Sequence, residues 1–190
     1  MFLLVPSQIG YAALGAIILG ESAGLPIPGE TALITAGGLV AAGQLSLPLV
    51  ILVATLAAIT GDTVGYWLGR RGGRALLLRD GFGAVHRRHA VSRADRYFAR
   101  YGAATVFFGR WVPGVRIVAA VMAGAARMPS PRFAAANAAG ALAWATTVAT
   151  LAVLVGPTGS ALLAVGGLAL GAITLAAGVW SHRRSLQAGT

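Results

Sequence analysis

Six long apolar runs punctuate the chain, at about 8–23, 31–43, 46–69, 102–126, 133–155 and 160–181, separated by short polar or basic stretches. Several exceed the roughly 18 residues that mark a membrane-spanning helix. The run at 31–43 is too short to cross comfortably at about 1.5 Å of rise per residue. Between the third and fourth runs lies an arginine-rich connector, about 70–101, in which Val91, Ala94, Phe98 and Tyr101 recur at helical spacing opposite Arg93, Arg96 and Arg100. That pattern predicts an amphipathic helix along a membrane surface. The fold class read from it is an all-α membrane protein.

Composition supports this. Of 190 residues, 57% are hydrophobic and only 11% charged, too few for the surface of a water-soluble domain. The net charge of +10 comes from arginine alone, and the arginines cluster between apolar runs, so the positive-inside rule accounts for them without nucleic acid. Cysteine is absent, which excludes disulfides, thiolate metal sites and a cysteine nucleophile. His86, His89 and His182 all lie in basic polar stretches, and no third ligand stands near the first two, so no metal site is expected. The start, MFLLVPSQIG, lacks a basic leader and does not read as a cleaved signal peptide.

Charge also constrains topology. Arg70 to Arg100, Arg127 with Arg132, and Arg183 with Arg184 form three basic clusters that should face the cytoplasm. Runs 133–155 and 160–181 cross and return through the uncharged VGPTGS turn. Run 102–126 stands alone between two cytoplasmic clusters, so it must enter and leave on the same side. Its reversal is expected in FFGRWVPGVR at Pro113-Gly114, and that of the short second run in GLPIPGE at Pro26, Pro28 and Gly29. The expected architecture is about four transmembrane helices plus two opposed re-entrant hairpins, at about 24–43 and 102–126, in one membrane unit spanning 1–190. Broken backbone at membrane depth survives only inside protein or beside a wet cavity, and paired broken helices point to a transport site.

Five ionisable residues fall in or beside the apolar runs: Glu21, Glu30, Asp62, Arg110 and Arg116. Each unpaired charge at the bilayer centre costs roughly 2.5–3.5 kcal/mol, so mutual pairing around a hydrated cavity is expected. Arg110 and Arg116 straddle the proposed turn and offer forked donors suited to an anionic headgroup; pairing with Glu30 or Asp62 would serve the hairpins structurally. Glu21, Glu30 and Asp62 are candidates for proton uptake or gating, Glu30 at the opening of a helix where the dipole favours a carboxylate. Gly61, Gly65 and Gly69, every fourth residue, form a face for close helix packing. Asn137, Gly140 and Trp144 lie at helical intervals on the next span, where Asn137 could hydrogen-bond the broken hairpin.

Four motifs in order, ESAGLPIPGE, GDTVGYWLGRRGG, FFGRWVPGVR followed by Ala123-Gly124, and NAAGALAW, resemble the DedA family, also called the VTT-domain or SNARE-associated Golgi protein family. The resemblance covers about residues 20–145. It implies membrane helices with two opposed re-entrant hairpins, and lipid translocation. Bacterial members are associated with recycling undecaprenyl phosphate and with membrane homeostasis dependent on the proton-motive force; eukaryotic relatives are associated with phospholipid scrambling. The family's acidic pair maps onto Glu21 and Glu30 and its arginine pair onto Arg110 and Arg116.

The expected function is therefore a lipid transporter or flippase for a lipid phosphate, proton-coupled through its acids, in the cell's cytoplasmic membrane. The expected partners are the lipid phosphate, membrane lipids, protons and, compatibly, further copies of the chain. A non-selective scramblase and a small proton or ion carrier are the alternatives. No cofactor is expected, and an enzyme is not: Ser22 has no intramembrane histidine to serve it, and no aspartate cluster could hold a cation.

Overall fold

The computed structural model describes residues 7–25, 27–73, 84–112 and 115–187. Pro26, Pro113 and Gly114, read as hairpin turns, lie outside the described residues, as do the side chains of Val91 and Ala94. Among the described residues there are six α-helices and no strand. They are α1 Ser7–Ser22, α2 Gly29–Ala41, α3 Leu47–Leu68, α4 Ala84–Phe108, α5 Val115–Ala125 and α6 Ser130–Gln187. A π-helical turn, Gly69–Gly73, extends α3, and a 3₁₀ turn, Gly109–Trp111, follows α4.

Local chemistry sets most of these ends. Helix α1 closes on Gly24, whose φ of 109° suits glycine, while the Leu25 amide reaches back to the Gly20 carbonyl at 3.0 Å. Helix α2 opens directly after Pro28, and α3 carries Pro48 in its first turn, where a missing amide costs nothing. Helix α6 breaks at Gly156 (φ 79°, ψ 177°), followed by Pro157, within the VGPTGS stretch. Ala152 and Ser160, on either side of that break, lie against adjacent residues Gly37 and Gly38 of α2. Gly167 lies beside Thr31, so the second half of α6 runs back along α2.

Among the described residues two stretches are long and apolar enough to cross a membrane, Leu47–Gly72 and Ser130–Ala169, the latter containing the break. Their outward faces carry large apolar side chains, among them Leu49, Leu52 and Leu56 on α3 and Leu151, Leu154 and Leu162 on α6. The buried set, by contrast, includes Asp62, Arg110, Arg116 and Asn137. Apolar outside and charged inside is the arrangement a lipid solvent favours.

One expectation shifts. The connector helix and the first arm of run 102–126 are not separate: α4 is continuous from Ala84 to Phe108. The only glycine at the expected boundary, Gly102, sits against the Phe98 ring and Met128, and one helical glycine is insufficient to end a helix. On this helix Phe98 is buried whereas Tyr97 and Tyr101 are exposed.

Two apolar clusters make the core. One joins Leu14 and Ile18, Leu33, Val50 to Ala58 of α3, and Ala141 to Ala149 of α6. The other gathers Tyr66, Phe98, Val106, Ala120, Ala123, Met128 and Phe133. Asp62 lies on α3 between Ala58 and Tyr66, and Asn137 on α6 between Phe133 and Ala141, so the polar residues occupy the seam between the clusters.

Tyr66 ties the second cluster together. Its hydroxyl donates to the Met128 carbonyl at 2.6 Å and accepts from Arg70 Nη1 at 2.5 Å, while its ring stacks on Phe133 with centroids 4.3 Å apart. Tyr66→Phe keeps the stack and removes the hydroxyl. It should cost about 1 kcal/mol in unfolding measurements in detergent, because Arg70 still reaches the Met128 carbonyl at 3.1 Å. A cost within error would mean the hydroxyl adds nothing to that junction.

Candidate functional site

Four elements deliver charge to the seam. Glu21 comes from the last turn of α1, Asp62 from the middle of α3, Arg110 from the 3₁₀ turn after α4, and Arg116 from the first turn of α5. Short elements carry both arginines, the three-residue 3₁₀ turn Gly109–Trp111 and the eleven-residue α5. Arg110 Nη2 forms an ion pair with Asp62 Oδ2, and Arg116 Nη2 forms one with Glu21 Oε2. Arg110, Arg116 and Asp62 are 3%, 6% and 4% exposed, and the Glu21 side chain 17%.

The geometry sorts the candidate acids. Gly29, the first residue of α2, passes so close to the Glu21 carboxylate that a Cβ there would overlap Oε2. The glycine therefore leaves the space that Glu21 fills, beside the positive end of α2. Glu30, one residue on, is exposed and makes no ion pair among the described residues. Thus each arginine pairs with one acid: Asp62 meets Arg110 as expected, whereas Glu21 and not Glu30 meets Arg116.

Helix α6 supplies the neutral partners. Asn137 Oδ1 accepts from Arg110 Nη2 at 2.5 Å, and its Nδ2 donates to the Ile59 carbonyl at 3.3 Å. The Arg116 guanidinium carbon lies 5.2 Å from the centre of the Trp144 ring, within cation–π range. Gly140, between them, approaches Phe107 backbone and the Arg110 stem; an added Cβ would stand 3.2–3.3 Å from both. Sequence spacing places Asn137, Gly140 and Trp144 on one face, but nothing local connects Asn137 to Arg110, 27 residues away in the chain, or Trp144 to Arg116.

Helix packing frames the site. Gly61 lies against α1, where a Cβ would meet the Ser22 Cβ at 2.5 Å and the Leu19 carbonyl at 2.7 Å, and Gly69 lies against the Val121 backbone of α5. Gly65 is in ordinary van der Waals contact, its nearest neighbour Ala120 at 3.6 Å.

The pairing leaves capacity unused. Arg110 Nε and Nη1 and Asp62 Oδ1 are buried without a hydrogen-bond partner among the described residues. A guanidinium offers five donors, and Arg110 commits one nitrogen, Nη2, to both of its acceptors. The four charges of the two pairs sum to zero, so the cluster tolerates burial as a unit, yet an incoming tetrahedral oxyanion would find donors ready. Among the described residues no group of three or more histidine, aspartate or glutamate side chains gathers to hold a metal.

Comparison with known proteins places these residues in context. The model of the VTT domain matches residues 27–154, a range that includes Asp62, Arg110, Arg116 and Asn137. An uncharacterized membrane protein of Synechocystis sp. is 42% identical over 149 residues, 78% of this chain and 68% of that protein. An uncharacterized membrane protein of Mycobacterium tuberculosis is 38% identical over 149 residues, 74% of this chain and 66% of that one, so the chain spans about two thirds of these relatives. Undecaprenyl phosphate transporter A of Bacillus subtilis is 29% identical over 154 residues, 79% of this chain and 74% of the transporter. No solved structure matches the chain.

Proposed function

The chain belongs to the VTT-domain (DedA) family, and on that footing we propose that it carries a lipid phosphate from one membrane leaflet to the other. The observation that carries this reading is the pair of buried arginines, each countered by a single carboxylate and Arg110 retaining unpartnered donors. Phosphate oxygens replace the carboxylates at Arg110 and Arg116, and the displaced Asp62 and Glu21 take up protons. When the lipid leaves, the acids release those protons and close on the arginines again. Undecaprenyl phosphate is the first substrate to try, because a relative bears that name.

In this reading the membrane unit spans 1–190 and lies in the cell's cytoplasmic membrane with its basic connector inside. The loop before α2, with α2, and the end of α4, with α5, form two re-entrant hairpins whose tips meet at the charged seam. Helix α2 supports this, since its 13 residues extend only about 20 Å, short of the roughly 30 Å hydrocarbon core. Glu30, exposed and outside the ion pairs, serves as an entry-side proton acceptor rather than a clamp residue.

Reconstituted liposomes test the proposal by following leaflet exchange of a polyprenyl phosphate beside a zwitterionic phospholipid, with and without a pH gradient. The phosphate lipid should move selectively. Glu21→Gln should lower the maximal rate about tenfold without raising KM, because the competitor for Arg116 is gone while its return no longer drives release. Equal movement of both lipids would replace the carrier with a scramblase. Proton flux with no lipid movement would leave an ion carrier.

A further inference from the structure

We infer that one face of α6, formed by Asn137, Gly140 and Trp144, is the fixed seat of both guanidiniums, so that exchange at the site moves the carboxylates and leaves the arginines in place. The inference rests on the reading of Arg110 and Arg116 as the phosphate-binding groups.

The three residues are spaced by three and four and share a face of α6. Their contacts differ in kind from those of the acids. Asn137 is neutral, so its grip on Arg110 is independent of whether Asp62 is charged, protonated or displaced. Its amide is itself fixed, because the Nδ2 group donates to the Ile59 carbonyl at 3.3 Å and leaves Oδ1 facing the guanidinium.

Trp144 holds Arg116 by the face of the ring. A guanidinium lying on an indole keeps its N–H edge free for forked bonds to an oxyanion, so the indole does not compete with phosphate as Glu21 does. Gly140 allows the close approach that Asn137 needs, admitting the Phe107 backbone and the Arg110 stem against α6.

The acids, by contrast, sit on α1 and α3 and reach the arginines by charge. An arriving anion therefore displaces carboxylates from a seat that keeps its shape. Asn137 and Trp144 are positioning residues: they touch the arginines and act on the ligand through them.

Trp144 also reports on the seat. In a protein with Trp67, Trp111 and Trp180 replaced by phenylalanine, its fluorescence senses Arg116 directly. Arg116→Ala should shift the emission, whereas Glu21→Gln, or saturation with farnesyl phosphate in detergent micelles with farnesol as the uncharged control, should leave it in place. A shift with either as large as that of Arg116→Ala would mean that the guanidinium travels with its counter-ion, and would overturn the inference.

Transport gives a second reading. Trp144→Phe, which retains a ring, should raise KM for a polyprenyl phosphate about threefold, and Trp144→Leu about tenfold, with maximal rates within about twofold of wild type. Equal losses in both variants, confined to the amount of folded protein, would make Trp144 a packing residue only and overturn its positioning role. If the wild-type protein moves no phosphate lipid, the transport reading falls, while the Glu21→Gln fluorescence comparison, which needs no ligand, still decides whether α6 is the seat.

Discussion

Arg110→Met should abolish phosphate-lipid transport and also destabilise the fold by about 3–5 kcal/mol, because it leaves the Asp62 carboxylate, 4% exposed, without its ion-pair partner. The two losses have separate causes and can be separated. Adding Asp62→Leu to Arg110→Met removes the stranded charge and replaces the pair with apolar volume, a change that is often neutral in protein interiors. The double variant should recover most of the thermal stability in detergent and none of the transport. Retained transport in the double variant would refute a phosphate clamp at Arg110. Equal instability of single and double variants would show that Arg110 matters through its Asn137 contact and stem packing rather than through Asp62.

The paired design also explains why a carrier would accept such costly residues. One unpaired buried arginine is costly in lipid, and one arginine permanently satisfied by a carboxylate is inert. Two arginines, each held by a neutral side chain on α6 and neutralised by an acid on another helix, keep net charge at zero in the resting state. They also leave a donor set that a dianionic phosphate can match.

Much of this was legible in the chain, in proportion to how local the causes are. Pro28-Gly29 announces the start of α2, and Gly156-Pro157 the break in α6, because proline and glycine act on their own backbone. Charges set among apolar runs were legible for the same reason, and of the five the fold buries Asp62, Arg110 and Arg116, leaves Glu21 partly buried and exposes Glu30. Their pairing was not. The sequence favours Glu30, which opens a helix, as an arginine's partner, whereas Arg116 pairs with Glu21, because α2 begins at a glycine that lies against the Glu21 carboxylate while Glu30 is exposed.

Helix length escaped for a different reason. The polarity change near Arg100 suggests a boundary between connector and membrane segment, but hydrogen bonding along α4 is indifferent to polarity and continues to Phe108. The links from Asn137 to Arg110 and from Trp144 to Arg116 are tertiary, and spacing could mark only the common face of α6.

The crossing of α3 and α5 should be the least tolerant point of the packing. A Cβ at Gly124 would overlap the Tyr66 carbonyl oxygen and stand 2.8 Å from the Arg70 amide nitrogen, while one at Gly69 would overlap the Val121 carbonyl. Both sets of neighbours are backbone, so neither can yield by changing a rotamer, and the helices must separate. Gly124→Ala should cost about 3 kcal/mol, at the upper end of overpacking penalties, and Gly124→Val should yield no folded protein. Gly72→Ala, with nothing within 4 Å of the added methyl, should stay within about 1 kcal/mol of wild type. Because α5 carries Arg116 in its first turn, a shifted crossing also pulls that guanidinium from both Trp144 and Glu21. Folded Gly124→Ala protein should therefore transport poorly even at temperatures where it is intact. Wild-type stability in Gly124→Ala would show that the two helices cross with room to spare. Full transport in a destabilised variant would show that the crossing supports the fold without setting the position of Arg116.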